Sequence, residues 1–280
     1  MIPLLPLRRA AAAGVILGAA LLAGCSSVST TQSGAIGVNR TQYMSGLVSE
    51  AQLEQEAGSQ YSDIVAQAKA QGALDRNAAQ VKRVQEISRR LIAQVGAFRP
   101  EAQSWKWEVH VLTSKEINAW CMPGGKIAVY TGLLDTIKPT DAELAAVLGH
   151  EISHALREHA RERVSQQMVT SIGLSVLSIA TGSSAASDLG GKLTDVMFTL
   201  PNSRTHEREA DLMGVELAAR AGYDPRAAVT LWEKMGKAAG GSAPPEFLST
   251  HPSAESRSTE LQQASQQVLP LYEQARKGKK

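Results

Sequence analysis

The sequence predicts an α+β domain, mostly helical, with one small antiparallel sheet. Three observations carry this expectation. Apolar residues recur at helical spacing over much of the 280 residues, as in Val81, Val84, Ile87 and Leu91. Strand-like segments are confined to one stretch, from Trp105 to Thr131. Aromatic residues make up 4% of a chain that is 43% hydrophobic, which disfavours an all-β barrel or sandwich.

Residues 1–24 read as an export signal. Arg8 and Arg9 form a short basic start, and the apolar run from Ala10 to Leu22 is too short for a comfortable membrane span. Leu22-Ala23-Gly24-Cys25 resembles a bacterial lipobox, in which Cys25 would be lipidated and become the mature first residue. Ser26 and Ser27 follow without an Asp, which by resemblance to Gram-negative lipoproteins favours the periplasmic side of the outer membrane. Residues 25–42, rich in Ser, Thr, Gln and Gly, read as a flexible tether. Residues 43–280 then form a single domain with helical extensions at both ends. Loss of Arg8 and Arg9 leaves 27 basic residues against 27 acidic ones, so no basic field would attract nucleic acid. With Cys25 lipidated, Cys121 has no intrachain partner, so it reads as a small buried residue.

Within the domain, residues 41–95 carry a helical pattern. Trp105–Leu112 alternates strictly, which puts Trp105, Trp107, Val109 and Val111 on one face of a strand. Ile117–Cys121 and Lys126–Thr131 follow as two more strands, joined by the turn Met122-Pro123-Gly124-Gly125. Thr140 and Glu143 form a capping box, which starts a helix expected to run to about Gln167. Val169–Ala180 is apolar but too short to span a membrane, and Thr181–Gly191 is a Gly/Ser/Ala loop. A helix from about Ser203 to Ala221 should stop at Gly222. Pro225 opens the next one, Ala238–Pro245 is a loop, and Ala254–Gln274 is an amphipathic tail helix.

The string His150-Glu151-Ile152-Ser153-His154 carries the chemistry. Residues four apart on a helix share a face, so both imidazoles can reach one metal ion. Glu151 then stands beside them, where it can take a proton from an attacking water. A catalytic zinc site needs a third protein ligand and an open position. His159, His206, Glu207, Glu209 and Asp211 are the candidates. A pattern with a His six residues after His154 is excluded, because Ala160 stands there. His159 falls about 140° further round a continuous helix and reads as solvent-facing. Glu207 and Asp211 share a helix face, so one can bind the metal while the other hydrogen-bonds a ligating imidazole. Glu209 falls on another face.

These strings, together with Asn118–Leu134, Ser203–Gly214, Gly222–Pro225 and Thr250–Arg257, resemble the gluzincin metallopeptidases of the HtpX and CAAX-prenyl-protease type. The likeness runs from about Val109 to Leu261 and favours a periplasmic, lipid-anchored, LoiP-like branch. It implies a zincin-like fold, one zinc ion per chain, Glu207 as third ligand, Asp211 as the partner behind a ligating imidazole, and Glu151 as general base. It implies an edge strand near Lys126–Thr131 for an extended substrate. His251 would lie by the metal, as a fourth ligand or as an oxyanion stabiliser counted with Glu151 among the catalytic residues. Arg204 and Arg257 would pair with nearby carboxylates. Implied partners are polypeptide substrates, chiefly misfolded or stalled envelope proteins, the outer-membrane lipid and envelope assembly machinery. The rival reading is a latent or non-catalytic zinc-binding chaperone or assembly lipoprotein.

Overall fold

A computed structural model describes residues 25–179, 189–238, 246–251 and 256–277. The expected signal peptide at 1–24, and most of the loops expected at 181–191 and 238–245, lie outside these residues. Among the described residues no helix is long and apolar enough to cross a membrane.

Strands β1 (Cys25–Val28) and β2 (Gln42–Ser45) pair antiparallel. Helix α1 (Glu50–Ala70) starts on a Ser49/Gln52 capping box, and α2 (Ala78–Ile92) starts on the Asn77 side chain. The central sheet holds β3 (Glu108–Leu112), β4 (Ala119–Met122) and β5 (Lys126–Tyr130) in the order β3-β5-β4. Helices α3 (Asp141–Leu156), α4 (His159–Ile179), α5 (Leu189–Thr194), α6 (Arg204–Arg220), α7 (Ala227–Ala238), α8 (Glu246–Thr250) and α9 (Arg257–Lys277) complete the mostly helical α+β domain.

The sheet divides two hydrophobic cores. Alternate side chains of β4 and β5 point to opposite faces. Ala119, Cys121, Ile127 and Val129 join α2, α3, α6, α7 and α9, whereas Trp120, Met122 and Ala128 join α1, α4 and α5. The hairpin between β4 and β5 is antiparallel, and Gly124 and Gly125 turn it with φ of 74° and 80°. The sheet as a whole is mixed, because β3 pairs parallel to β5. This makes β5 the central strand, and the edge nearest α3 is β4 instead of Lys126–Thr131. Alternation marks a strand but not its neighbour, so the order was not legible.

Residues 25–42 are not a loose tether. Main-chain amides of Ala35 and Ile36 donate to the buried Glu216 carboxylate at 2.9 Å each, and Gln32 donates to the Phe98 carbonyl at 2.7 Å. Arg40 forks onto Glu162 at 2.7 Å and Glu209 at 2.7 Å. Composition misleads here because main-chain amides and the Arg40 side chain of this stretch meet charges buried elsewhere in the chain.

The helix expected to run from 141 to 167 is interrupted. Helix α3 stops at Leu156, and Glu158 takes a left-handed φ of 52°. Unpaired carbonyls at a helix end need donors. Arg99 donates to the Leu156 carbonyl at 3.2 Å, and Gln42 donates to the Arg157 carbonyl at 2.7 Å. Long-range partners therefore replace the next helical turn.

Replacing Arg40 with Ala leaves Glu162 and Glu209 buried without their shared cation. The expected loss is about 3 kcal/mol, the lower end for breaking a buried pair, because the arginine side chain keeps 31% exposure. Burial pushes the Glu162 carboxyl up, but Arg40, His206 and Gln42 outweigh it and hold the carboxyl well below its ordinary range. A depressed carboxylate stabilises the fold above its unfolded value of about 4.3, and that contribution is lost as pH falls through the folded value. Urea midpoints should therefore differ most between the two proteins above about pH 5 and converge on acidification. A gap that is constant across pH would contradict this.

Candidate metal centre

Helix α3 starts where the capping box sets it: Glu143 N–H meets Thr140 Oγ1 at 3.3 Å, and the Thr140 N–H donates to Glu143 Oε2 at 2.7 Å. That register buries His150 and Glu151 and brings the His150 and His154 Nε2 atoms to 3.1 Å. Helix α6 crosses α3 where two glycines meet. A Cβ on Gly214 would lie 2.7 Å from the His150 amide nitrogen, and one on Gly149 would lie 2.8 Å from the Gly214 carbonyl oxygen. This close approach delivers Glu207 and Asp211, seven and three residues before Gly214, to the two histidines.

Glu207 Oε2 lies 3.5 Å from His150 Nε2, and Oε1 lies 3.3 Å from His154 Nε2. Zinc-to-ligand distances of about 2.0–2.1 Å put tetrahedral ligand atoms roughly 3.3 Å apart, which is the spacing seen. Both Glu207 oxygens are buried without a hydrogen-bond partner. A buried carboxylate needs cationic partners. Arg257 Nη2 is one, 3.3 Å from Oε2, and a metal ion between the imidazoles and the carboxylate would be another. His251, just after α8, brings a fourth donor, and ligand atoms of His150, His154, Glu207 and His251 all lie within 4.8 Å of one another. The donor set therefore fits zinc.

Around this cluster, Asp211 Oδ1 lies 2.9 Å from His150 Nδ1 and accepts from Arg257 Nη2 at 2.7 Å. Burial alone would raise the Asp211 carboxyl, yet Arg257 and His150 hold it below its ordinary value, so it stays ionised. Arg257 also reaches Glu207 Oε2 at 3.3 Å and stacks 3.2 Å from the Trp232 ring centroid. Arg204 is exposed on the first turn of α6. Burial, then Glu207, pushes the Glu151 carboxyl well above its usual range, and Oε1 lies 3.4 Å from His251 Nε2. Burial holds the His154 imidazole well below its ordinary value and His251 down to about 3. His251 stacks on Phe247 with ring centroids 4.3 Å apart. Cys121 is buried and its thiol is pushed up, first by burial and then by Glu151, so it is no nucleophile.

The cluster opens into a cleft bounded by Glu151, His154 and His251 on one side and Asn118, Trp120 and Pro123 of the β4 edge on the other. His159 differs from expectation. The break after Leu156 turns it inward, where it is 1% exposed with Nδ1 2.8 Å from His154 Nδ1. Its Nε2 lies 3.0 Å from Glu209. A five-residue offset on one continuous helix points away from the metal, so sequence reasoning missed both residues.

A mostly helical α+β domain that gathers His150, His154 and Glu207 beside Glu151 has the architecture of an HExxH-type metallopeptidase domain. The sequence model of Peptidase family M48 matches residues 78–265, and the chain belongs to that family. The mitochondrial metalloendopeptidase OMA1 of Arabidopsis thaliana is 39% identical over 194 residues, which cover 69% of this chain and 39% of that protein. The OMA1 metalloendopeptidase of Bos taurus is 38% identical over 186 residues, covering 62% of this chain and 35% of the relative. The β-barrel assembly-enhancing protease of Escherichia coli is 33% identical over 189 residues, covering 62% and 38%. The chain thus spans about two fifths of the length of these curated relatives.

Proposed function

We propose that this chain is a zinc-dependent endopeptidase with Glu151 as its general base. The observation that supports it best is the buried Glu207 carboxylate, both oxygens without a hydrogen-bond partner, against two imidazole nitrogens 3.1 Å apart. His150, His154 and Glu207 would hold the zinc, with Asp211 orienting His150. Bound zinc would supply Lewis acidity, which acidifies water and polarises a scissile carbonyl. Glu151 takes the proton of the attacking water and delivers it to the leaving amine nitrogen. An extended substrate lies along β4, held by main-chain hydrogen bonds to the sheet edge. His251 turns Nε2 toward Glu151 Oε1 at 3.4 Å, and with its hydrogen on that nitrogen and Nδ1 accepting from Thr250 Oγ1 it would donate to the developing oxyanion.

The substrates in this reading are misfolded or stalled envelope proteins, cleaved by a LoiP-like protein anchored through Cys25 to the periplasmic face of the outer membrane. The string Leu22–Cys25 supports the anchor, and the similarity to a β-barrel assembly-enhancing protease supports a role beside envelope assembly machinery. A second reading, a latent zinc-binding assembly lipoprotein, draws on the fourth donor His251. His251→Ala separates the two: lower turnover fits oxyanion binding, and higher turnover fits latency.

Cleavage of casein by the mature chain should stop when a chelator removes the metal and return with added zinc. Casein that stays intact before and after zinc addition contradicts the endopeptidase reading.

A further inference from the structure

Helix α6 carries three acidic residues at alternate positions, Glu207, Glu209 and Asp211. Glu207 and Asp211 face the metal cluster. Glu209 lies on another side of the helix, yet it is buried and approached by three basic side chains. Arg157 reaches its Oε2 at 3.1 Å, Arg40 reaches Oε1 at 2.7 Å, and His159 Nε2 lies 3.0 Å from Oε2. His159 also meets His154, Nδ1 to Nδ1, at 2.8 Å with the rings at 73°. On its other face it stacks against His206, centroids 4.3 Å apart.

A neutral imidazole has one N–H and one bare nitrogen. Two Nδ1 atoms 2.8 Å apart need one hydrogen between them, since two would clash and none would set lone pair against lone pair. The Nε2 of His154 must be bare to hold a cation, so its hydrogen belongs on Nδ1. His159 then accepts at Nδ1 and carries its own hydrogen on Nε2, which points at Glu209. This one assignment satisfies every group in the series. The reverse assignment puts a hydrogen on His154 Nε2, in the space shared with His150 and Glu207, and turns a bare His159 nitrogen toward a carboxylate.

We propose that His159 is a positioning residue for the metal centre: it accepts the Nδ1 hydrogen of His154, donates to Glu209, and so fixes His154 in the tautomer that binds metal. The two metal histidines are then both tied to carboxylates of α6, His150 directly by Asp211 and His154 through the inserted ring of His159. Arg40, from the segment ahead of α1, holds Glu209 from the far side. The role rests on the proposed function, because it takes His154 as a zinc ligand.

Two measurements test it. In the zinc-loaded unmutated protein, long-range proton–nitrogen NMR of the imidazoles should find His154 protonated at Nδ1 and His159 at Nε2. His159 protonated at Nδ1 would overturn the proposal. Separately, zinc affinity is measured by competition with a chelator. His159→Phe keeps a flat ring without either nitrogen and should bind zinc roughly 10- to 100-fold more weakly, the usual effect of losing a partner behind a metal ligand. His159→Gln keeps one acceptor and one donor and should recover most of that loss. Equal affinity for His159→Phe and the unmutated protein, or equal losses in both variants, would also overturn it. The spectrum stands alone if His159→Phe does not fold. Zinc bound with the wrong tautomer contradicts this positioning role only. A protein that takes up no zinc contradicts the proposed function, and the positioning role with it.

Discussion

Glu151→Gln should purify with as much zinc as the unmutated protein and lose about 10⁴-fold in turnover, the upper end of what general acid–base catalysis contributes. Glu151 is not among the clustered ligand atoms, so its change to an amide leaves the zinc donors intact. The amide cannot take a proton from water, and the loss counts twice because the same group must hand the proton to the leaving amine. The setting of Glu151 explains why the effect depends on the metal. Burial and the neighbouring Glu207 push its carboxyl up, and a cation held by His150, His154 and Glu207 opposes both. Steady-state cleavage of a fluorogenic peptide beside elemental analysis checks this. Full activity in the variant would remove Glu151 from the chemistry, and loss of zinc would make it a ligand.

Gly214→Ala should lower stability and zinc affinity together. A Cβ there would stand 2.7 Å from the His150 amide nitrogen and 2.9 Å from the Gly149 carbonyl carbon. Both are backbone atoms of α3, so no flexible side chain can yield, and the two helices must part. Overpacking a core costs about 1–3 kcal/mol and occasionally more, and contact between two helix backbones belongs at the high end. At roughly 2–4 °C per kcal/mol for a domain of this size, Tm should fall by about 6–12 °C. The parting also carries Glu207 and Asp211 away from His150 and His154, so zinc affinity should fall with stability. An unchanged Tm would mean that α3 and α6 are not held together as closely as described.

How much of this was legible in the sequence depends on the range of the interaction. The capping box at Thr140 and the helix-stop residue Gly222 act within a turn, and both mark real ends of α3 and α6. The four-residue spacings of His150/His154 and Glu207/Asp211 likewise survive, because a helix face is a local property. The break at Glu158 does not follow from local rules. It depends on Arg99 and Gln42, far away in sequence, meeting the carbonyls at the end of α3. His159 and Glu209 were hidden by that break. The order of the sheet was hidden for a related reason: the side chains of β3 alternate in the same way whether it pairs with β4 or with β5. Arg40, in a stretch that composition marks as a tether, was hidden because its two acidic partners lie more than a hundred residues further on.

The most direct test of the central claim is the metal content of the folded, purified mature chain, taken beside Glu207→Ala. Elemental analysis should find one zinc ion per unmutated chain, and sharply reduced occupancy in the variant at equal circular dichroism. A folded unmutated protein without stoichiometric metal would contradict the account, and full occupancy in Glu207→Ala would contradict the ligand set.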